Sequence, residues 1–192
     1  MSKTLAGYCH FIWAALAKQT QTGAIVPSQR FLVDKMIAPI PRNYEGKIIE
    51  LGAGNAAVTL RLAARCPAAS ILACEINPVL AKASRRNLDA AGFNGRVKVS
   101  TDTAEHLLSE HRRRGNGKVD FIVSGLPLGN FDNELVEALV DSIHSTLAPG
   151  GMYIQFQHFL TDMHKVKARF SGLRLAFVLL NLPPAAIYYA QK

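Results

Sequence analysis

The sequence predicts an α/β chain built on a seven-stranded, mostly parallel sheet whose last two strands form an antiparallel hairpin. Three observations lead there. From Lys47 onward, short β-rich runs alternate with helical stretches, the pattern of a parallel sheet assembled from βα units. The first of these runs passes straight into a glycine turn, Glu50-Leu-Gly-Ala-Gly54, where a helix follows from about Ala57. The last two runs are joined by Asn181-Leu-Pro-Pro184, too short for a crossover helix, so they are expected to pair antiparallel. Strands are expected at 47–51, 70–75, 96–100, 121–124, 151–156, 175–180 and 185–190, with helices between the first five.

Ahead of the sheet, residues 4–19 place Leu5, Tyr8, Cys9, Ile12 and Leu16 at helical spacing, with Phe11 and Trp13 beside the stripe. Residues 1–22 are therefore expected to be an amphipathic helical appendage, and 23–192 a single domain. Lys3 and the apolar run ending Ala15-Leu-Ala17 imitate a secretory leader, but Tyr8 and His10 interrupt the run. Gly23 and Pro27 break the helical pattern, Ser28 suits an N-cap, and Phe31, Leu32, Met36 and Ile37 recur at helix period until Pro39 and Pro41 stop it.

With 192 residues and 49% hydrophobic content the chain has enough apolar side chains for one core and too few residues for two large ones. Mean hydropathy is +0.11, and no uninterrupted apolar stretch has spanning length. Cys9, Cys66 and Cys74 form no CxxC pair, which argues against a zinc site or a disulfide scaffold and for small apolar fillers in a reducing compartment. The net charge of +8 points to an anionic partner, either nucleic acid or an acidic membrane surface, or else to a solvated basic surface. The basic residues are spread over Arg85-Arg86, Arg112-Arg-Arg114 and 165–174.

Gly52 and Gly54 let a ligand approach the backbone where side chains would block it. With Ala57 they also satisfy the GxGxxG/A dinucleotide pattern, so a nicotinamide cofactor has to be weighed. The acids that follow argue for a different nucleoside ligand. Glu75 stands at the tip of the second strand, where a carboxylate meets ribose hydroxyls. Asp102 follows the third strand, where a polar group meets an adenine, and Glu50 precedes the glycines, placed for a cationic amino-acid end. A nicotinamide enzyme is expected to carry a substrate domain after its cofactor half, where this sequence has the hairpin. All three acids fall on the carboxyl edge of a parallel sheet, the edge at which such sheets bind ligands.

At these residues, and from about 23 to 190, the chain resembles the class I S-adenosyl-L-methionine-dependent methyltransferases, which have a Rossmann-like fold. The resemblance implies S-adenosyl-L-methionine as cofactor, held by Glu50, Gly52, Ala53 and Gly54 at the turn. It adds Glu75 with Ile76, Asp102 with Thr103, and Ser124 at the end of the fourth strand. One departure is Ala56, which stands where the family has the third glycine of its turn and is expected to tighten the pocket.

The loop after the fourth strand, expected to hold the acceptor, reads Ser124-Gly-Leu-Pro-Leu-Gly-Asn-Phe131. Methyltransferases of exocyclic base nitrogens carry Asn-Pro-Pro-Tyr or similar there, and here Ser124 replaces the Asn and Leu128 the stacking ring. The segment more closely resembles the bacterial phospholipid N-methyltransferases, as do Gly23-Ala-Ile-Val-Pro-Ser28 and Asn181-Leu-Pro-Pro-Ala-Ala-Ile-Tyr188. That resemblance implies a phosphatidylethanolamine headgroup as acceptor and a cytoplasmic enzyme peripheral at the inner face of an anionic membrane. The N-terminal helix then either lies in the interface or covers the domain's own core. The rival resemblance is to the ribosomal RNA adenine dimethyltransferases, carried by Phe31-Leu-Val-Asp34. A third reading is a fold that binds the donor without catalysis.

Methyl transfer from a sulfonium needs a neutral nucleophile, so no metal and no covalent intermediate is implied. The expected acceptor residues are Ser124 and Leu126, through their carbonyls, and Tyr8 or Tyr153 as a partner for the amine proton. His158, His164, Lys165 and Lys167 read either as phosphate contacts or as a solvated helix surface.

Overall fold

The segment KIIEL, Lys47–Leu51 (β1), buries its last four residues, as a central strand covered on both faces requires. The computed structural model describes residues 27–93, 95–179 and 184–192. Around β1 lie Ser70–Cys74 (β2), Val97–Ser100 (β3), Val119–Ser124 (β4), Leu147–Gln157 (β5), Gly172–Val178 (β6) and Ala185–Gln191 (β7). They form one sheet in the order β3-β2-β1-β4-β5-β7-β6. The first five strands are parallel, and β7 runs antiparallel to both β5 and β6. This is the sheet the sequence predicts.

The helices are Pro27–Ile37 (α1), Ala57–Arg65 (α2), Pro78–Ala90 (α3), Ala104–Arg113 (α4), Asn133–Thr146 (α5) and Met163–Arg169 (α6). Their apolar faces cover the sheet from both sides. Met36 and Ile37 of α1, Leu62 of α2 and Leu88 of α3 pack on one face with Ile48 and Ile71. Leu108 of α4, Leu139 and Ile143 of α5 and Val166 of α6 pack on the other with Ile49 and Ile122. Cys66 and Cys74 are buried free thiols, and burial pushes Cys74 up to about 12, so both serve as the apolar fillers expected.

Two strand bounds differ from expectation. β5 starts at Leu147 because Val119 pairs with Leu147 and Phe121 with Met152, which leaves an irregularity around Ala148–Gly151 that sequence periodicity reads as a turn. β6 runs Gly172–Val178 because its ladder with β7 begins at the Gly172–Gln191 pair. The helix expected at 4–19 and the turn residues 181–183 lie outside the described residues, and Ser28, expected as the N-cap, instead falls inside α1, one residue after its start at Pro27. No described helix is long and apolar enough to cross a membrane.

In this order the chain moves from β1 to β2 and β3 on one side, then returns to the other side of β1 for β4. The chain therefore reverses direction across the sheet at β1 and β4, and the carboxyl edge at such a switch point is where open α/β sheets bind ligands.

Candidate functional site

The glycine turn follows β1 directly at this edge. Gly52, Gly54 and Ala56 all have positive φ, at 81°, 57° and 73°. Such angles are free for glycine and cost an alanine roughly 1–2 kcal/mol. The turn hangs from β2, because the N–H groups of Gly52 and Ala53 donate to Cys74 O at 3.0 and 2.9 Å. It is braced from α3: Ser84 Oγ donates to Gly54 O at 2.7 Å, and Asn87 Nδ2 donates to Asn55 O at 3.0 Å.

Glu75 is 3% exposed, with one oxygen accepting from Gly54 N and the other from Asn77 N, both at 2.9 Å. It therefore ties the glycine turn to the start of α3, where Asn77 is the N-cap. Each carboxylate oxygen retains a further lone pair for a ligand hydroxyl. Ile76, half-buried beside it, offers an apolar flank. Asp102 accepts from Thr103 N at 2.8 Å and meets His106 Nδ1 at 2.6 Å, while Thr103 caps α4 by accepting from His106 N. The hydrogen bond and charge of Asp102 raise the pKa of His106 above its ordinary value.

Glu50 is the anomaly of the pocket. It is 2% exposed, and neither its Oε2 nor the buried Thr59 Oγ1 has a hydrogen-bond partner. Burial pushes its carboxyl up to about 8; the nearby Thr59 hydroxyl offsets part of that, and the charge of Glu75 adds to it. A buried carboxylate oxygen without a partner is costly, and a cationic ligand group at this spot relieves the cost.

The acceptor loop packs directly on the turn. A Cβ on Gly52 would lie 3.0 Å from Leu126 Cδ2. Ser124 is fully buried, and its Oγ accepts from Leu126 N at 3.2 Å, closing the loop on itself. Leu128 is fully buried within a single 3-10 turn, Leu128–Asn130, so it offers no surface for stacking.

Two expectations about the acceptor fail on geometry. The Leu126 carbonyl already accepts from Gln155 Nε2 at 2.9 Å and Gln157 Nε2 at 3.0 Å, which engages both lone pairs and leaves none for an amine. Tyr153 is fully buried, donates to Gln155 Oε1 at 2.5 Å, and has its phenol raised well above the usual range by burial, so it cannot collect a proton from an acceptor. Lys165 is likewise no phosphate contact. It is 7% exposed and paired with Asp162 and Asn133, each at 2.7 Å. Lys167 and His164 are exposed, and His158 Nδ1 donates to Pro184 O. Tyr8 lies outside the described residues.

A family model described as a methyltransferase domain matches residues 48–151, which run from β1 through the acceptor loop into β5. The chain belongs to the methyltransferase domain family. A curated relative, the ornithine lipid N-methyltransferase of Singulisphaera acidiphila, is 30% identical over 179 residues, covering 90% of this chain and 89% of the relative. A ribosomal RNA small subunit methyltransferase C from Cronobacter sakazakii is 26% identical over 114 residues, covering 59% of this chain and 31% of its own length. Among solved structures, a magnesium protoporphyrin IX methyltransferase from Synechocystis PCC 6803, determined with bound S-adenosyl-L-methionine, superposes with a TM-score of 0.72 at 13% identity over the whole of both chains.

This methyltransferase depends on S-adenosyl-L-methionine, and its pocket fits that donor on its own evidence. The unpaired, buried Glu50 oxygen suits the ammonium of that donor, and the glycines at 52 and 54 put no Cβ in the way of a ligand at the turn. The braces Ser84, Asn87, Gln155 and Gln157 escape sequence reading. The two glutamines do leave a trace there, as polar residues at i and i+2 in an otherwise apolar strand.

Proposed function

We propose that this methyltransferase N-methylates the primary amine of a membrane lipid, with phosphatidylethanolamine as the acceptor. The similarity to the lipid N-methyltransferase carries this reading, because it spans nearly the full length of both chains. The match to the RNA enzyme covers only 31% of that relative. The buried Leu128 supports the same conclusion, since the loop position that would stack a base is occupied by core.

In this reading Glu50 pairs the donor ammonium, Gly52, Ala53 and Gly54 line its amino-acid chain, and Glu75 with Ile76 holds the ribose. Asp102 and Thr103 receive the adenine. Ser124, at the carboxyl end of β4 beside β1, orients the amine through its backbone. Tyr8 takes the amine proton. The donor supplies an electrophilic methyl group on sulfur; the protein's part is to hold a neutral amine in line with it and exclude water.

Donor affinity should depend on pH through Asp102. Protonated His106 competes for that carboxylate, so affinity is expected to rise as pH climbs through the raised His106 pKa. His106→Ala should remove that part of the rise, measured by calorimetric titration of S-adenosyl-L-methionine from pH 6 to 9. A variant that keeps the same profile would show that Asp102 does not meet the donor.

The activity itself is tested by transfer of labelled methyl from S-adenosyl-L-methionine to phosphatidylethanolamine in anionic vesicles, with ornithine lipid and undermethylated ribosomal RNA assayed in parallel. Label is expected in phosphatidylethanolamine and to fall at least about tenfold with Asp102→Ala, the loss of one charge-assisted hydrogen bond. Label in ornithine lipid alone corrects the headgroup. Label in RNA alone overturns the lipid reading.

A further inference from the structure

Four large apolar side chains stand in solvent around one end of the sheet: Phe159 (75% exposed), Leu160 (40%), Phe177 (53%) and Leu179 (77%). They come from two segments leaving the same carboxyl edge. Gln157 of β5 pairs with Ala186 of β7, and Ala186 pairs with Phe177 of β6, so the three share one row. Two to three residues further on, Phe159, Leu160 and Leu179 pass beyond the edge, about 10 Å apart at two strand spacings. The segments are held. His158 Nδ1 donates to Pro184 O at 3.1 Å, and the Tyr188 hydroxyl donates to Phe159 O at 3.4 Å, so the Phe159 backbone is anchored while its ring stays outside.

The stretch of chain that carries this patch is cationic. From Ser142 to Lys192 the sequence has a single acidic side chain, Asp162, which is 8% exposed and paired with Lys165. Lys167 and Arg174 in the same stretch are exposed. Lys35 reaches over from α1 to donate to Phe177 O at 2.9 Å, bringing a further cation to the rim. An apolar centre with a cationic rim and no exposed carboxylate of its own stretch complements an anionic bilayer, whose interface takes up both parts.

We propose that Phe159, Leu160, Phe177 and Leu179 form a membrane-docking surface that inserts into an anionic lipid interface, with Lys35 and Lys167 on the headgroups. The carboxyl edge then faces the bilayer, and a headgroup reaches the ends of β1 and β4 without leaving the membrane. This surface rests on the lipid-amine reading for its purpose, and its four side chains touch none of the donor groups described above.

The test uses the full chain carrying Phe159→Ser and Leu179→Ser together, sedimented with phosphatidylethanolamine/phosphatidylglycerol vesicles and with neutral phosphatidylcholine vesicles. Wild type is expected to partition onto the anionic vesicles and to release in salt. The double variant should lose roughly tenfold or more of that partitioning while its thermal midpoint and S-adenosyl-L-methionine affinity stay unchanged. Unchanged partitioning overturns the proposal. So does a fall of several degrees in the variant's midpoint, which would mean that the chain's own residues 1–26 cover the patch, and so does a wild-type dimer that the variant splits. If wild type labels lipid but the variant still binds, the surface alone fails. If the variant stops binding but no lipid is ever labelled, the lipid-amine reading alone fails.

Discussion

Glu50→Gln is expected to make the ligand-free protein more stable at pH 8 while crippling donor binding. The carboxyl is buried with an unpaired oxygen, and burial pushes it up to about 8 from 4.5. Between those values the folded state binds a proton that the unfolded state has released, so stability falls as pH rises through the window from about 4.5 to about 8 and the loss is complete above it. Glutamine cannot ionise. At pH 8 it should recover on the order of 2 kcal/mol, less than the full shift because a buried amide still lacks a partner. Thermal unfolding at pH 5, 6.5 and 8 should show the wild-type slope and its flattening in the variant. The same substitution removes the charge facing the donor ammonium, a charge-assisted contact worth about 1.5–3 kcal/mol, so S-adenosyl-L-methionine affinity should drop roughly tenfold to a hundredfold. A variant that is less stable at pH 8, or that binds the donor as tightly, would remove Glu50 from the pocket.

Gly52→Ala should cost both fold and function. At φ 81° an added Cβ is strained, and it would sit 3.0 Å from Leu126 Cδ2. Leu126 has little room to yield, because two buried glutamines hold its carbonyl and Ser124 holds its N–H. The left-handed conformation costs roughly 1–2 kcal/mol and the overpacking adds about 1 kcal/mol or more. The thermal midpoint should therefore fall by about 5 °C or more, and donor affinity by at least about tenfold as the turn shifts. Ala56→Gly is the internal comparison. Ala56 has φ 73°, so glycine relieves strain, but its methyl is fully buried and worth roughly 0.8 kcal/mol, with added chain entropy on the same side. The opposing effects nearly cancel, and the midpoint should stay within about 3 °C. Equal losses in the two variants would mean that the turn tolerates no change, and that Leu126 contact is not what sets the cost at Gly52.

The candidate donor residues form a pattern legible in the sequence because its information is local. A strand ending in Glu50, glycines two and four residues later, and acids at the tips of the next two strands are all readable from periodicity and turn chemistry. The sheet itself was readable for the same reason, down to the hairpin that reverses β7. The acceptor half was not. The assignments to Leu126 and Lys165 failed because each meets a partner brought in from elsewhere: Gln155 and Gln157 lie 29 and 31 residues beyond Leu126, and Asn133 lies 32 residues before Lys165; Tyr153 failed because the fold buries it completely. Nothing near those residues in sequence shows whether a carbonyl is already saturated.

By itself, then, the sequence determined the order of elements, the glycine turn and the row of carboxylates at the strand tips. Spacing along one chain dictates those, since a strand and the turn after it are built from neighbouring residues. Only the tertiary structure decided which of these groups are free to meet a ligand. It left Glu50 Oε2 without a partner, saturated Leu126, sealed Tyr153 in the core and turned Phe159 and Leu179 outward. Availability is set by burial and by hydrogen bonds between strands and helices distant in sequence, and those follow from the placement of β4 and β5 beside β1 rather than from any local pattern.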